Sequence, residues 1–222
     1  MFQIWFVWRK RKAAAFDALP TSDREAGMAL GLAGPQNYGP QLPQDTPIEL
    51  LGVIGSGRFG AVWKGKMSGK MVAVKIFPLK EKMSWLAEKN IYNLPQLDGH
   101  DNILKFLGVD QRNENLETEF WLATEYHEKG SLYDFLKTNT VSWEELCKIA
   151  LSIGRGLTFL HEEIPANGKA DLKPAVAHRD FKSKNVLIQS DLTACIADFG
   201  LALIFEPDKS CGQQHGQVSS LS

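Results

Sequence analysis

The chain has 222 residues, 44% of them hydrophobic and 23% charged, enough for one large or two small globular domains with a core. Its 25 basic and 26 acidic residues leave a formal net charge of -1, so no domain-wide basic excess exists to neutralise phosphates and nucleic acid is excluded as the expected partner. The three cysteines, Cys147, Cys195 and Cys211, are odd in number and widely spaced, with no CxxC and no nearby His pair, which argues against a disulfide scaffold or zinc site and for a reducing compartment.

Met1 to Trp8 is apolar apart from Gln3, and Arg9-Lys10-Arg11-Lys12 follows at once. So short a run cannot span a bilayer, which takes ~20 helical residues. A signal peptide would carry its positive charges before the apolar run, not after it. Two readings stay open: the last turns of a transmembrane helix leading into a cytoplasmic basic stop over residues 1–12, or an apolar N-terminus that packs on the domain or is disordered. Residues 13–47 are rich in Ala, Gly, Pro and Gln without an apolar period, and read as a flexible linker.

Ile48 begins a different texture. Glu49 to Ile54 leads into Gly55-Ser56-Gly57-Arg58-Phe59-Gly60, then Ala61-Val62-Trp63-Lys64, a turn at Ser68-Gly69, and Met71 to Phe77, closed by Pro78. Short β-rich runs between Gly-containing turns predict an antiparallel meander. Between Lys82 and Leu94 the period becomes helical, and Trp85, Glu88, Ile91 and Tyr92 share one face. A carboxylate among large apolar side chains needs a partner. Residues 103–107 and 119–124 read as two further strands, giving a sheet with a single long helix.

After Thr124 the pattern is mainly helical. Ser131 with Asp134 and Ser142 with Glu145 match the hydroxyl-x-x-acid start signal. The second opens a helix whose Leu146, Ile149, Ala150, Ile153, Leu157 and Leu160 predict one apolar core stripe. A loop from Glu163 to Ala177 delivers the chain to His178-Arg179-Asp180-Phe181-Lys182-Ser183-Lys184-Asn185, and a hairpin turned at Ser190-Asp191 ends at Asp198-Phe199-Gly200.

A lone GxGxxG is weak evidence, because dinucleotide-binding folds use it where the third Gly opens a helix. Here Gly60 runs into a strand, so the loop joins two strands and can fold over phosphates as a flap. Lys75, in Val72-Ala73-Val74-Lys75, falls on the next strand. With Gly55, Gly57, Gly60 and Val62 as GxGxxGxV, Lys75 as the strand lysine, residues 178–185 as HRDxKxxN and residues 198–200 as DFG, all in order, the chain resembles the protein kinases. Lys182, two residues after Asp180, follows the serine/threonine pattern. The runs at 72–78, 121–122, 127–132, 178–187, 191–202 and 215–218 further resemble the activin type II group of receptor serine/threonine kinases in the transforming growth factor β superfamily, a likeness that covers Ile48 to Val218.

The resemblance implies an α+β, bilobal fold, with a β-rich N-lobe at about 48–124 and a partial, mainly helical C-lobe at about 125–218. It implies ATP and Mg²⁺ or Mn²⁺ as cofactors. Asp180 would orient the acceptor hydroxyl and take its proton, Lys182 would steady the transferring phosphoryl group, and Lys75, held by Glu88, would pair with the α and β phosphates. Asn185 and Asp198 are the implied metal ligands. Around the nucleotide would stand Ile54, Gly55, Ser56, Gly57, Arg58, Phe59, Gly60 and Ala61 of the flap. Val62, Ala73 and Leu187 would clasp the adenine, with Thr124 behind it and Glu125, Tyr126 and His127 as hinge.

The implied setting is a single-pass receptor in the cell membrane, cytoplasmic after about residue 9. Its implied partners are a type I receptor kinase as substrate and co-receptor and an extracellular activin- or BMP-like ligand, in a homodimer within a hetero-oligomeric complex. In one respect the chain departs from the pattern. The family continues after His215-Gly216-Gln217-Val218 through Gly-Thr-Arg-Arg-Tyr-Met into Ala-Pro-Glu and further helices, whereas here Ser219-Ser220-Leu221-Ser222 follows, a tail unlike the family. Two expectations therefore stand side by side: part of a receptor kinase, or a truncated and catalytically inactive module that binds nucleotide or a receptor.

Overall fold

The computed structural model describes residues 40–42, 47–57, 59–114, 117–168 and 170–205. The apolar start and basic stop, most of the linker, Arg58, and the stretch at 215–222 lie outside the described residues.

Five strands form one antiparallel sheet in the order β1-β2-β3-β5-β4: β1 (Glu49–Gly57), β2 (Gly60–Met67), β3 (Lys70–Pro78), β4 (Phe106–Glu114) and β5 (Glu117–Glu125). The β1–β2 connection carries the Gly-rich loop, with Gly57 opposite Gly60. The turn between β2 and β3 is the one expected at Ser68-Gly69, whose φ values of 48° and 80° suit a two-residue hairpin turn matched to strand twist. In the sheet, Val72, Val74 and Phe77 of β3 are buried against β5.

Helix α1 (Lys82–Tyr92) packs on the sheet with Trp85, Glu88, Ile91 and Tyr92 buried, the face expected of it. It stops two residues before the expected Leu94. Asn93 leaves the helical region at ψ 2°, and Leu94 precedes Pro95, whose ring disfavours helical backbone in its predecessor.

The expected strand at 103–107 is displaced. The strand β4 begins at Phe106 and runs on through Asp110-Gln111-Arg112-Asn113-Glu114, while Leu104 N–H donates instead to Ile196 O at 2.9 Å. An edge strand can carry polar residues without apolar alternation, and that hid it. Three residues within the stretch read as linker pair with the sheet. Leu42 N–H donates to Val109 O at 2.9 Å, Val109 N–H donates to Pro40 O at 3.1 Å, and the Leu42 side chain is buried.

Beyond the sheet come α2 (Leu132–Thr138) and α3 (Trp143–His161). Ser131 and Ser142 cap them as expected, and Ser142 with Glu145 forms the full reciprocal box. The buried line of α3 differs from the apolar stripe. Ile149, Ser152, Gly156 and Leu160 are buried, Ile153 and Leu157 half-buried, and Leu146 and Ala150 exposed. The closest approach selects small or hydrogen-bonding residues: a Cβ on Gly156 would lie 2.7 Å from Asn102 O, and Ser152 Oγ accepts from Ala194 N–H at 3.0 Å.

The loop after α3 contains β6 (Ala175–Ala177), paired with β9 (Leu203–Phe205), while β7 (Val186–Ile188) and β8 (Ala194–Ile196) form the expected hairpin. Buried Lys173 donates to the carbonyls of Leu160, Glu162 and Pro174, two of them at the C-terminus of α3, where orphan carbonyls need partners. Among the described residues no helix is long and apolar enough to cross a membrane. The architecture is the α+β arrangement expected, a β-rich N-lobe with one long helix and a partial, mainly helical C-lobe.

Candidate active site

Lys75 leaves β3 toward α1. Its Nζ donates to Glu88 Oε2 at 2.7 Å and to Asp198 Oδ1 at 2.8 Å. Glu88 needed a partner among the apolar side chains of α1, and this ammonium is it. Three charged groups from β3, α1 and the turn after β8 thus meet in one place. Asp198 adopts φ 66°, a left-handed conformation that a non-Gly residue enters at a cost of order 1 kcal/mol or more.

Burial works against the Lys75 ammonium, but the carboxylates of Glu88 and Asp198 overcome it and hold its pKa above the usual lysine value. Burial pushes the Glu88 carboxyl up, with Lys75 pulling the other way. For Asp198 burial also pushes upward, yet the charge and hydrogen bond of Lys75 outweigh it and leave the carboxyl below its ordinary range. Asp198 is therefore the firmly ionised member.

The second cluster lies on the loop before β7. Lys182 Nζ donates to Asp180 Oδ2 at 2.6 Å, and Asn185 Nδ2 donates to Asp180 O at 2.9 Å and to Asp180 Oδ2 at 3.1 Å. A 3-10 turn over Ser183–Asn185 brings Asn185 back beneath Asp180. Because its amide nitrogen is spent on Asp180, the Asn185 side chain offers its oxygen elsewhere. His178 fixes the loop from below: Nε2 bonds Ala197 O at 2.9 Å while Nδ1 accepts from Asp180 N–H at 3.3 Å, the pattern of a neutral ring protonated at Nε2.

The two clusters are joined by a column of rings. His178 and Phe199 have centroids 5.3 Å apart, Phe199 meets Tyr92 edge-on at 5.2 Å, and Tyr92 stacks on Phe106 at 5.0 Å. Sequence reasoning gave Tyr92 only a core role and passed over Phe106 as a site element. The available signal was position: Tyr92 lies one helical turn after Glu88 on the same face.

Above the clusters, Gly60 has φ 156°, and a Cβ there would fall 2.0 Å from Ile76 O, so this flap position requires glycine. Phe59 lies within 3.6 Å of where a Gly200 Cβ would stand, which brings the flap to the Asp198-Phe199-Gly200 turn. Val62, Ala73 and Leu187 are half-buried, and Ala73 pairs with Thr124, which is buried at the end of β5. Glu125 pairs with Val72, Tyr126 lies under Lys64 Nζ at 4.6 Å, and His127 Nε2 is 3.5 Å from Cys195 Sγ. A cavity of about 280 Å³ behind this strand end is lined by Tyr92, Leu104, Glu125, His127 and Cys195, and contains none of the Lys75, Glu88 and Asp198 cluster.

A lysine held between two carboxylates, a Gly-rich strand-turn-strand and an Asp-Lys-Asn loop together suit a phosphate chain and a hard cation. Residues 48–220 match the family model described as protein kinase domain. The chain belongs to the protein kinase family. Among curated relatives, this kinase chain is 50% identical over 220 residues to the activin receptor type-2A of Xenopus laevis, covering 99% of the chain and 40% of the relative. It is 53% identical over 189 residues to the Homo sapiens activin receptor type-2A, covering 83% of the chain and 36% of the relative. Over 190 residues it is 50% identical to the Xenopus laevis activin receptor type-2B, covering 83% of the chain and 37% of the relative. The chain thus spans about 40% of the length of the relatives it matches.

Protein kinases use ATP with a divalent metal. The donor chemistry fits that pair. Asp198 contributes an ionised carboxylate already facing a cation, and Asn185 an amide oxygen, the hard oxygen ligands that Mg²⁺ prefers.

Proposed function

We propose that this chain carries the kinase unit of a type II receptor of the activin class, which transfers the γ-phosphate of ATP to serine or threonine of a type I receptor. The observation that supports the reading is the pairing of Lys75 with both Glu88 and Asp198, together with the Asp180, Lys182 and Asn185 cluster.

Phosphoryl transfer leaves little covalent work to the protein, so positioning and charge neutralisation dominate. Lys75, aimed by Glu88, binds the α and β phosphates. Asp198 and Asn185 would hold the divalent cation, which would neutralise charge on the phosphates. Asp180 accepts a hydrogen bond from the acceptor hydroxyl and receives its proton. Lys182, already 2.6 Å from that carboxylate, lies close enough to steady the equatorial oxygens of the phosphoryl group. The Gly-rich flap from Gly55 to Ala61 covers the phosphates and shields them from water. Val62, Ala73 and Leu187 clasp the adenine, Thr124 closes its rear, and the Glu125 to His127 backbone meets its edge.

The membrane setting, the type I receptor partner, the activin- or BMP-like ligand and the homodimer within a larger receptor complex follow from the likeness to the activin type II receptors, and are proposals with it. The reading is tested with a kinase-inactive type I receptor cytoplasmic region as acceptor and labelled ATP with Mg²⁺. Label mapped to serine or threonine is expected. Label on tyrosine, or a bound nucleotide without transfer, contradicts the assignment.

A further inference from the structure

The short segment Pro40–Leu42 precedes the domain and lies on the open edge of the sheet. Both backbone groups of Val109 are committed to it: Val109 N–H donates to Pro40 O at 3.1 Å, and Leu42 N–H donates to Val109 O at 2.9 Å. The pairing is parallel and extends the sheet beyond β4, the mode by which an extended peptide adds to a strand edge. Leu42 is 5% exposed and joins an apolar cluster with Ile48, Val72, Val74, Trp121 and Ala123 on the outer face of the sheet.

The receiving strand is shaped for this contact. β4 slips register between Phe106 and Gly108, and Gly108 adopts φ 151°. A Cβ there would stand 2.9 Å from Pro40 O and 3.0 Å from Leu42 Cδ2. Glycine therefore serves two needs at one position, the backbone angle and the approach of the segment.

The bulge leads directly to the site. Phe106, two residues before Gly108, ends the ring column that runs through Tyr92 and Phe199 to His178. The Val109 side chain enters the inner core with Tyr92 and Phe199, on the opposite face of the sheet from Leu42. One residue thus has its backbone bonded to the segment and its side chain packed with the helix that carries Glu88.

We propose that Pro40–Leu42 is a docked strap, occupying a peptide-binding edge on β4, and that its attachment positions Phe106 and Tyr92 and through them the Lys75, Glu88 and Asp198 cluster. The segment joining the domain to whatever precedes it is then a control element: displacement by tension, or by a competing extended peptide with a leucine at the same place, loosens the nucleotide site. The functional half of this inference rests on the kinase reading, whereas the docking half does not.

The test uses the full chain with Leu42→Asp, Leu42→Ala, the conservative Leu42→Met, and Pro40→Ala, since Pro40 contributes only its carbonyl. Hydrogen exchange at the Val109 amide reports docking, and the affinity for Mg²⁺-ATP, read by a fluorescent analogue, reports coupling. Leu42→Asp and, more weakly, Leu42→Ala should speed Val109 exchange and weaken nucleotide binding by at least about fivefold, the low end of usual allosteric coupling. Leu42→Met and Pro40→Ala should leave both near wild type. Should Leu42→Asp fail to fold, Leu42→Ala set against Leu42→Met carries the comparison. Unchanged Val109 exchange in the Leu42→Ala protein overturns the docking. Faster exchange with unaltered nucleotide affinity overturns the coupling, and a wild type that binds no nucleotide overturns the kinase reading while leaving the exchange result to decide the strap.

Discussion

Asp198 Oδ1 stands 2.8 Å from the Lys75 ammonium that Glu88 Oε2 also holds, at 2.7 Å. One cation therefore ties the turn after β8 to the sheet and to α1, and this tie sets the first prediction. Lys75→Met leaves Glu88, only 2% exposed, as a buried carboxylate without its cation. Removing one partner of such a pair costs about 3 kcal/mol or more, whereas replacing both with apolar groups is close to neutral. Urea unfolding should show Lys75→Met strongly destabilised and Lys75→Met/Glu88→Met recovering the part due to Glu88, with the Asp198 contact still missing. A double variant no more stable than the single one would contradict the pairing.

The sign of the acid dependence follows from Asp198. Burial raises its carboxyl pKa, but Lys75 lowers it further, and the net folded value lies below the ordinary 3.8. The unfolded chain thus takes up the proton first, so this contribution to stability is present above pH 3.8 and is lost as pH falls through the folded value. Asp198→Asn should flatten the acid limb of the stability profile. An unchanged limb would show that the Lys75 contact does not bias the carboxyl.

Tyr92 carries the buried side-chain polar atom that lacks a hydrogen-bond partner among the described residues, its hydroxyl oxygen. An unsatisfied buried hydroxyl costs about 1–3 kcal/mol. Tyr92→Phe keeps the stacking on Phe106 and Phe199 and should stabilise by about 1 kcal/mol, whereas Tyr92→Ala, which empties the column, should lose about 3 kcal/mol or more. Thermal and urea unfolding check both, and a destabilised Tyr92→Phe would show that the hydroxyl has a partner in solution.

Lys173 is buried beneath three carbonyls, and burial pushes its ammonium down to about 8, with Glu162 opposing. Between that value and the usual 10.5 the unfolded chain holds a proton that the folded chain has shed, so stability from this group rises with pH over that window. The wild type should therefore gain on Lys173→Met as pH climbs from 8. A constant difference in urea midpoints across the window contradicts the shifted ammonium.

Cys147 is exposed, whereas burial pushes the Cys195 thiol up to about 12, with Glu125 adding to the shift. Only thiolate reacts readily, so native alkylation near neutral pH should label the Cys147 peptide and spare that of Cys195. Unfolding should make the two equally reactive, as peptide mass spectrometry would show.

Much of this was legible in the chain because motifs and strong local signals coincide. The Gly-rich turn between strands, Glu88 among apolar neighbours, and the two serine caps each carry their own physical reason, and all lie where the spacing put them. What stayed hidden depended on tertiary contact. β4 is an edge strand whose polar stretch from Asp110 to Glu114 shows no alternation. Helix α3 turns Ser152 and Gly156 inward because backbone approach, not apolar area, sets its closest line. Pro40–Leu42 has the composition of a linker, and its backbone bonds to Val109, with room left by Gly108, make it part of the sheet. In the site, the residue pattern shows that Glu88 needs a partner and the kinase resemblance implies Lys75, but the second contact to Asp198 and the ring column through Tyr92 and Phe106 require the fold.

The most direct measurement of the central claim is phosphoryl transfer by the full chain, wild type against Asp180→Asn, with labelled ATP, Mg²⁺ and a serine-containing acceptor. Nucleotide binding is followed in the same samples. Asp180 bonds to Lys182 and Asn185, whereas Lys75 is held by Glu88 and Asp198, so the amide variant of Asp180 should bind nucleotide as the wild type does. Transfer should occur in the wild type and fall by at least about 100-fold in Asp180→Asn, the usual worth of a positioned proton acceptor. Wild-type chain that binds nucleotide without transferring phosphate, or transfer that survives Asp180→Asn, would contradict the account.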